Sequence, residues 1–329
     1  MIISETPLRI SLAGGGTDLP GYYLKHEGTV VSTAIDKYLY VIVKERFDNF
    51  IYVDYSRKEI VNTIDEIQHD LVREAAKKAG LKNGFEILML ADIPSEGSGL
   101  GSSSSLTVGL LNAFYQYQGI LVTSEQLAQE ACEIEIDILK RPIGKQDQYI
   151  AAYGGLKKFV FRKDNSVDVY DIDIDTEHKR KLGSNLLLFF TNVTRKSSSI
   201  LEEQNKNVNN TLEFHHKIKK LAEKSYDSLI NQDINKIGEY LKENWEYKKK
   251  LASNVTNPEI ENMHKTVMDA GALGAKISGA GGGGFLMVYC ERNYQDKLRY
   301  AMRDYRELPF LLDKFGSRII FNQSRYDIK

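Results

Sequence analysis

Residues 94 to 105 read Pro-Ser-Glu-Gly-Ser-Gly-Leu-Gly-Ser-Ser-Ser-Ser, between a β-rich stretch, Phe85 to Ala91, and an apolar-patterned one carrying Leu106, Leu110, Ala113 and Phe114. Glycine and serine at that density make a flexible linker when they join domains. Between a strand and a well-patterned helix they instead make a loop with a task. The glycines let the backbone turn its N–H groups inward, and the helix that follows adds unpaired N–H donors and the positive end of its dipole. The segment therefore reads as a cradle for an anion, polyphosphate above all. Its serine hydroxyls are oxygen donors of the kind a magnesium ion bridging phosphates accepts.

Two further glycine clusters flank this loop. Arg9-Ile-Ser-Leu-Ala-Gly-Gly-Gly-Thr-Asp18 closes a strand-like segment that begins at Ile2. A tight turn needs one or two glycines; Gly14, Gly15 and Gly16 between an arginine and a carboxylate are better suited to letting a ligand approach the backbone. The third cluster, Lys276-Ile-Ser-Gly-Ala-Gly-Gly-Gly-Gly-Phe285, contains a G-x-G-x-x-G match from Gly279 to Gly284. A dinucleotide fingerprint needs a helix opening after its glycines, whereas these run into the strand-like Phe285 to Cys290. Neither a G-x-x-x-x-G-K-[ST] loop nor an H-R-D or D-F-G signature occurs, so the standard nucleotide sites are excluded.

Among the carboxylates Glu135 stands out. On a helix from Ser124 to Leu139, at about 100° per residue, Leu127, Ala128, Ala131, Ile134, Ile138 and Leu139 make one apolar arc with Glu135 in its middle. A buried carboxylate is costly unless paired or bound to a metal, which leaves a magnesium ligand or a hydrogen-bonded core glutamate. Downstream, Lys145 precedes Asp147 by two residues, as a base held ionised beside a cation or as a surface salt bridge. Thr194-Arg-Lys-Ser-Ser-Ser199 is cationic and hydroxyl-rich, suited to an anionic group or to a solvated helix start. His215-His216 has no partner at metal spacing and reads as surface.

The 329 residues, 42% hydrophobic and 27% charged with six prolines, are enough for a large core or two domains. Forty-four basic residues against 45 acidic ones leave a net charge of -1, so no global field recommends nucleic acid or an anionic membrane, and an anion must be bound locally. The longest apolar stretches, such as Leu186 to Phe190, are far below the roughly 20 residues of a membrane span. Met1 leads into a strand-like segment with no signal-peptide pattern, and a soluble, cytoplasmic protein is expected. Cys132 and Cys290 read as packing residues. Further strands are expected at Thr29 to Lys44, Ile51 to Tyr55, Lys157 to Phe161 and Leu186 to Thr191. Helices are expected at Asp65 to Ala79, Ser102 to Gln118, Ser124 to Leu139 with Ser124 as N-cap, and from Asn257-Pro258 to Gly271. From Ser197 to Lys250 the chain is charged and helical, which puts a domain boundary near 180 to 195 in an α+β or α/β enzyme.

Together and in order, Arg9 to Asp18, Pro94 to Ser105 and Lys276 to Phe285 resemble the three motifs of the GHMP kinase superfamily, named for galactokinase, homoserine kinase, mevalonate kinase and phosphomevalonate kinase. The resemblance implies a two-domain α+β fold: an N-terminal domain like ribosomal protein S5 domain 2 over residues 1–185, and a ferredoxin-like C-terminal domain over residues 186–329. The site would lie in the cleft between them. By motif position, Gly97, Gly99, Leu100, Gly101, Ser102, Ser103, Ser104 and Ser105 would hold the phosphates of ATP. Ser103 and Glu135 would be the ligands of Mg2+, Asp147 the catalytic aspartate, and Lys145 and Arg9 its charge-stabilising neighbours. Asp18 matches a sugar-hydroxyl ligand, with Gly15, Gly16 and Thr17 beside it and Gly281 and Gly282 closing the cleft from the second domain.

The wording R-I-S-x-x-G-G-G-T-D-x-P plus G-K-Q-D-Q-Y looks most like the D-glycero-D-manno-heptose 7-phosphate kinases and related sugar 1-kinases, including fucose kinases. Galactokinases usually carry G-E-H-T-D in the first motif, and Gly15 and Gly16 stand where those acidic and histidine ligands would be. Arg195 and Lys196 would face the distal phosphate; their segment resembles a T-G-x-x-R stretch of the heptose kinases, with Asn192 replacing the glycine. The expected partner is a sugar or sugar phosphate, with room for a homodimer. An unphosphorylated-sugar kinase, or a sensor that has lost catalysis, are the alternatives.

Overall fold

The computed structural model describes residues 1–93, 97–193 and 197–323. Its first half is built on two long strands, β1 (Ile2–Ala13) and β2 (Gly28–Glu45), antiparallel from the pair Ile2 and Val43 to the pair Ala13 and Val31. Helix α1 (Pro20–His26) joins them. Rich in β-branched residues and buried for most of their length, these two strands carry the first glycine cluster at their turn. The sheet continues through β3 (Ile51–Asp54), β4 (Lys58–Val61) and β5 (Phe85–Ala91). Past α2 (Asp70–Ala79), α3 (Ser102–Tyr117), α4 (Ser124–Cys132) and α5 (Gln146–Tyr153) come β6 (Leu156–Phe161) and β7 (Val167–Asp171). The main path runs β4, β3, β5, β2, β1, with β6 pairing β2 and β7. Only β3 and β5 are parallel among these pairs.

The second half runs α6 (Thr176–Asn185), β8 (Leu186–Phe190), α7 (Ser197–Lys206), α8 (Leu212–Ile230), α9 (Lys236–Lys248), α10 (Pro258–Asp269), β9 (Gly274–Ile277), β10 (Phe285–Tyr289) and α11 (Gln295–Ala301). Strands β8, β10 and β9 form a separate antiparallel sheet in that order. Their side chains alternate: Leu186, Leu188, Met287 and Tyr289 join a core shared with α8, α9 and the first sheet, while Leu187, Phe189, Leu286 and Val288 join a second core with α10. Both faces are buried, so these strands read as unbroken apolar runs. The chain then returns: β11 (Leu312–Asp313) pairs with β2 and β12 (Arg318–Asn322) with β1. Residues 312–322, expected with the second domain, thus complete the sheet of the first. They are short strands paired at long range, and nothing local marks which sheet they join.

Several local readings are corrected. Thr123, not Ser124, caps α4, its hydroxyl accepting from Gln126 N. The helix expected to run to Leu139 changes winding at Glu133–Ile138, a π-helical turn in which Leu139 N bonds to Ile134 O. The wider turn breaks the 100° arithmetic, so Ile138, assigned to the apolar arc, is 45% exposed while Glu135 is fully buried. His215 is not on the surface: it is buried against the ring of Tyr22 at 5.3 Å, because α8 packs on the β1–β2 layer. Cys132 and Cys290 are free and buried, as packing residues should be. Asn257 caps α10 by accepting from Ile260 N, ahead of Pro258 in the first turn.

Candidate active site

All three glycine clusters meet at one cleft of about 580 Å³, within the usual range for small-molecule sites. Its floor is the start of α3. Gly101, in the left-handed region at φ 83°, sits at the N-cap, and Ser102, Ser103 and Ser104 of the first turn line the cleft with Gly97 and Gly99. A 16-residue helix thus directs its unpaired N–H groups and positive dipole end into the cavity. Glycine is required where two loops touch: a Cβ on Gly99 would stand 2.6 Å from Ser278 O, and one on Gly279 2.8 Å from Gly99 Cα. The phosphate loop and the third cluster are therefore in backbone contact. Two residues placed in the phosphate loop do not reach the cleft: Leu100 is a buried core residue, and Ser105 donates to Pro7 O at 2.8 Å. A helix turns successive residues through about 100°, so a contiguous motif cannot present every member to one side.

Beneath the loop lies Glu135, fully buried. Its Oε1 accepts from Ser103 Oγ at 2.5 Å, and its Oε2 from Ser104 Oγ at 2.7 Å and Gln148 Nε2 at 2.6 Å. Burial raises its pKa, while the two hydroxyls, Arg141 and Gln148 pull the other way. Among the described residues no group of three or more His, Cys, Asp or Glu could hold a metal by itself. What the chain offers is Ser103 Oγ and a Glu135 oxygen. That fits magnesium, which takes one or two protein oxygens and completes its shell with phosphates and water.

The opposite wall holds Asp147, in the first turn of α5. Both its oxygens are gripped by Arg9, Nε to Oδ1 at 2.7 Å and NH2 to Oδ2 at 2.6 Å. The same guanidinium donates to Gly99 O at 2.6 Å, tying the aspartate to the phosphate loop through a planar fork. Lys145 is not the cation beside Asp147. Its ammonium is buried away from the cleft, donating to Asn165 O and Asn165 Oδ1 at 2.7 Å each, over the Tyr23 ring. As the residue at the start of α5 it projects to the other side of the turn, and burial lowers its pKa. Asp18 lies next to this wall, accepting from Gly16 N at 2.9 Å and from Gln146 Nε2 at 3.1 Å. Burial, then the charge of Asp147, raises its pKa.

Gly15, Gly16, Asp18 and Gly281 line the cleft. Gly282 is one step removed, its N–H donating to Val255 O at 2.8 Å. Thr17 is not a cleft residue either: fully buried, its hydroxyl lies 2.8 Å from Gly14 O and 3.0 Å from Thr29 O, knitting the loop to β2. Arg195 and Lys196 lie outside the described residues. On either side of them, Gly284 N donates to Val193 O at 2.8 Å, and Ser198 and Leu201 line the cleft.

Besides Gln146 on Asp18, four contributors escaped motif reading. Arg141 reaches Ser103 and Glu135, and Gln148 supports Glu135. Gln204 of α7 lines the cleft. Lys248 of α9 is buried and donates to Ile277 O at 2.9 Å and to Gly279 O, holding the third glycine cluster in place. Burial, then Arg9, depresses its pKa to about 7. Gln204 and Lys248 come from the charged helical stretch, whose solvated composition hid them. Arg141 and Gln148 sat in plain view beside recognised residues, without a spacing rule to single them out.

A two-domain α+β fold whose cleft sets a helix-borne anion cradle against an arginine-clamped aspartate defines a phosphoryl-transfer enzyme. Residues 62–155 match the GHMP kinases N terminal domain and residues 225–307 the GHMP kinases C terminal. Over 319 residues the chain is 33% identical to a D-glycero-alpha-D-manno-heptose 7-phosphate kinase of Campylobacter jejuni, covering 92% of this chain and 93% of that protein. It is 30% identical to an L-fucokinase/L-fucose-1-P guanylyltransferase of Bacteroides fragilis over 88% of this chain, spanning 34% of that longer protein. Among solved structures, a D-glycero-D-manno-heptose 1-phosphate kinase from Bacteroides thetaiotaomicron superposes with a TM-score of 0.82 at 27% identity, covering 98% of this chain and 100% of that one. The chain belongs to the GHMP kinase family, ATP-dependent phosphotransferases acting on sugars and other small molecules. Among the described residues no helix is long and apolar enough to cross a membrane.

Proposed function

We propose that this enzyme transfers a phosphoryl group from ATP to the anomeric hydroxyl of D-glycero-D-manno-heptose 7-phosphate, as a cytoplasmic step toward nucleotide-activated heptose. The observation that carries the transfer chemistry is Asp147, held by Arg9 against the same loop whose helix start lines the phosphate end of the cleft. Phosphoryl transfer asks mainly for in-line positioning and charge neutralisation. The α3 N-terminus with Gly97 to Ser104 would bind the phosphates, and Ser103 and Glu135 would hold Mg2+, which when bound neutralises phosphate charge. Asp147 would orient the attacking hydroxyl and take its proton, its carboxylate fixed by Arg9. Asp18 would bind a neighbouring sugar hydroxyl, aligned by Gly16 N and Gln146. The heptose phosphate is supported by likeness over nearly the whole chain to the Campylobacter jejuni enzyme, and by the room left at Gly15 and Gly16. Arg195 and Lys196 would recognise the 7-phosphate.

The second reading, a 1-kinase of an unphosphorylated sugar such as L-fucose, is favoured by the Bacteroides fragilis relative. ADP release measured with the heptose 7-phosphate, mannose, L-fucose, galactose and no sugar, with phosphorus NMR of the product, separates the two. Selective turnover of the heptose phosphate with a new anomeric phosphate signal is the expected result. Turnover of L-fucose instead would transfer the assignment and remove the distal-phosphate role of Arg195.

A further inference from the structure

Arg141 carries more than its place in the sequence announces. One arm, NH1, donates to Ser103 Oγ at 2.6 Å and lies 3.3 Å from Glu135 Oε1. The other, NH2, bonds both oxygens of Asp70, at 3.0 and 2.9 Å. Arg141 also lines the cleft. Two facts make this arrangement informative. A fully buried carboxylate is costly unless paired, and among the described residues Arg141 is the cation that forms an ion pair with Glu135. The oxygens under its NH1 arm, Ser103 Oγ and Glu135 Oε1, are also the two that the chain offers to magnesium. A metal ion on those oxygens and a guanidinium nitrogen bonded to them are like charges competing for the same lone pairs. The NH2 arm has no such conflict, because Asp70 holds it independently.

We propose that Arg141 is a stand-in cation and a nucleotide-phosphate ligand. It neutralises Glu135 in the nucleotide-free enzyme, gives up Ser103 and Glu135 when the magnesium nucleotide binds, and then, still anchored by Asp70, donates its released N–H groups to the polyphosphate. Asp70 is the positioning residue that keeps the arginine at the cleft wall through the exchange. The inference rests on the reading of Gly97 to Ser105 as the site of a magnesium nucleotide.

Calorimetric titration of the nucleotide-free full chain tests it without turnover. Three titrants are compared: Mg2+ alone, ADP alone, and ADP at saturating Mg2+. Arg141→Ala is expected to bind Mg2+ alone about tenfold more tightly than the wild type, since the competing cation is gone, and the magnesium–ADP complex about tenfold more weakly, since a charge-assisted donor is lost. Arg141→Lys keeps the positive charge, and so guards against misfolding, but cannot span both partners; a magnesium–ADP affinity lowered at least about threefold is expected. Asp70→Asn should weaken magnesium–ADP while leaving the affinity for Mg2+ alone unchanged. Equal Mg2+ affinity in the wild type and Arg141→Ala, or unaltered magnesium–ADP affinity in Arg141→Lys, overturns the proposal. Absence of nucleotide binding in the wild type overturns the phosphate-loop reading itself and is told apart by that.

Discussion

The two walls of the cleft are built differently. The phosphate wall is one stretch of chain, Gly97 to Ser104, wound onto the end of α3 and backed by Glu135, whose two oxygens are met by two hydroxyls, an amide and a guanidinium. The acceptor wall is gathered from far apart: Gly16 and Asp18 after β1, Gln146 and Asp147 from α5, Gln204 from α7, and Gly279, Ala280, Gly281 and Gly283 between the strands of the second sheet. Around it, buried Ser11 Oγ, Gln146 Oε1, His215 Nε2 and Ser278 Oγ have no hydrogen-bond partner among the described residues, against one such atom, Gln148 Oε1, behind the phosphate wall. The first wall, read as the phosphate site, is paired within itself but for Gln148 Oε1, as suits an anion common to every reaction of its type. The second leaves hydrogen-bonding capacity over, as a surface that must discriminate among acceptors does.

Variants in the two walls are expected to fail in different ways. The largest effect is expected for Asp147→Asn, which removes the proposed proton acceptor yet keeps its shape. kcat should fall about a thousandfold or more, with ADP affinity by calorimetry nearly intact. Turnover within tenfold of the wild type would end the catalytic assignment. Next comes Asp18→Asn, where the KM for the sugar should rise about tenfold or more while nucleotide affinity stays within about twofold. A parallel loss of nucleotide affinity would mean that the walls are not separable. Gly279→Ala strikes the contact between them. At φ 66° and with its new Cβ 2.8 Å from Gly99 Cα, it should lower stability by about 1–3 kcal/mol in urea unfolding and weaken both substrates.

The smallest effect sits behind the third cluster. Lys248 has a folded-state pKa near 7 against an ordinary 10.5. Between those values the unfolded chain binds a proton that the folded chain does not, so this group makes stability rise with pH across pH 7 to 10.5, by at most about 1.4 kcal/mol per unit. Urea unfolding at pH 7, 8 and 9 should give a slope smaller by about 1 kcal/mol per pH unit in Lys248→Met. Equal slopes would place the titration elsewhere.

Much of this architecture is legible in the amino-acid sequence. Phe85–Ala91 forms as the strand expected, and the glycine–serine loop does open α3. Glu135 is buried, as its place in an apolar stretch required. What failed did so through geometry that a linear pattern does not contain. The π-turn at Glu133–Ile138 exposed Ile138, and the turn before α5 sent Lys145 to Asn165 instead of to Asp147. Thr17 and Ser105 carry the right chemistry but spend it on Gly14, Thr29 and Pro7 inside the fold. His215 read as surface because it has no partner at metal spacing, whereas its neighbours in space are Tyr22 and the β1–β2 layer.

The sequence by itself determined the phosphate wall, because a helix N-terminus and its glycine approach are local: their N–H groups, dipole and backbone freedom depend on residues within a dozen positions of one another. It determined the alternating and continuous apolar runs that bury both sheets for the same reason. The tertiary structure alone decided that Arg9, 138 positions from Asp147, is its partner, that Lys248 braces the third glycine cluster, and that the last strands close the first sheet. Those pairings come from the packing of two sheets through a shared layer of helices. Packing sums many weak, long-range contacts that no single stretch of chain specifies.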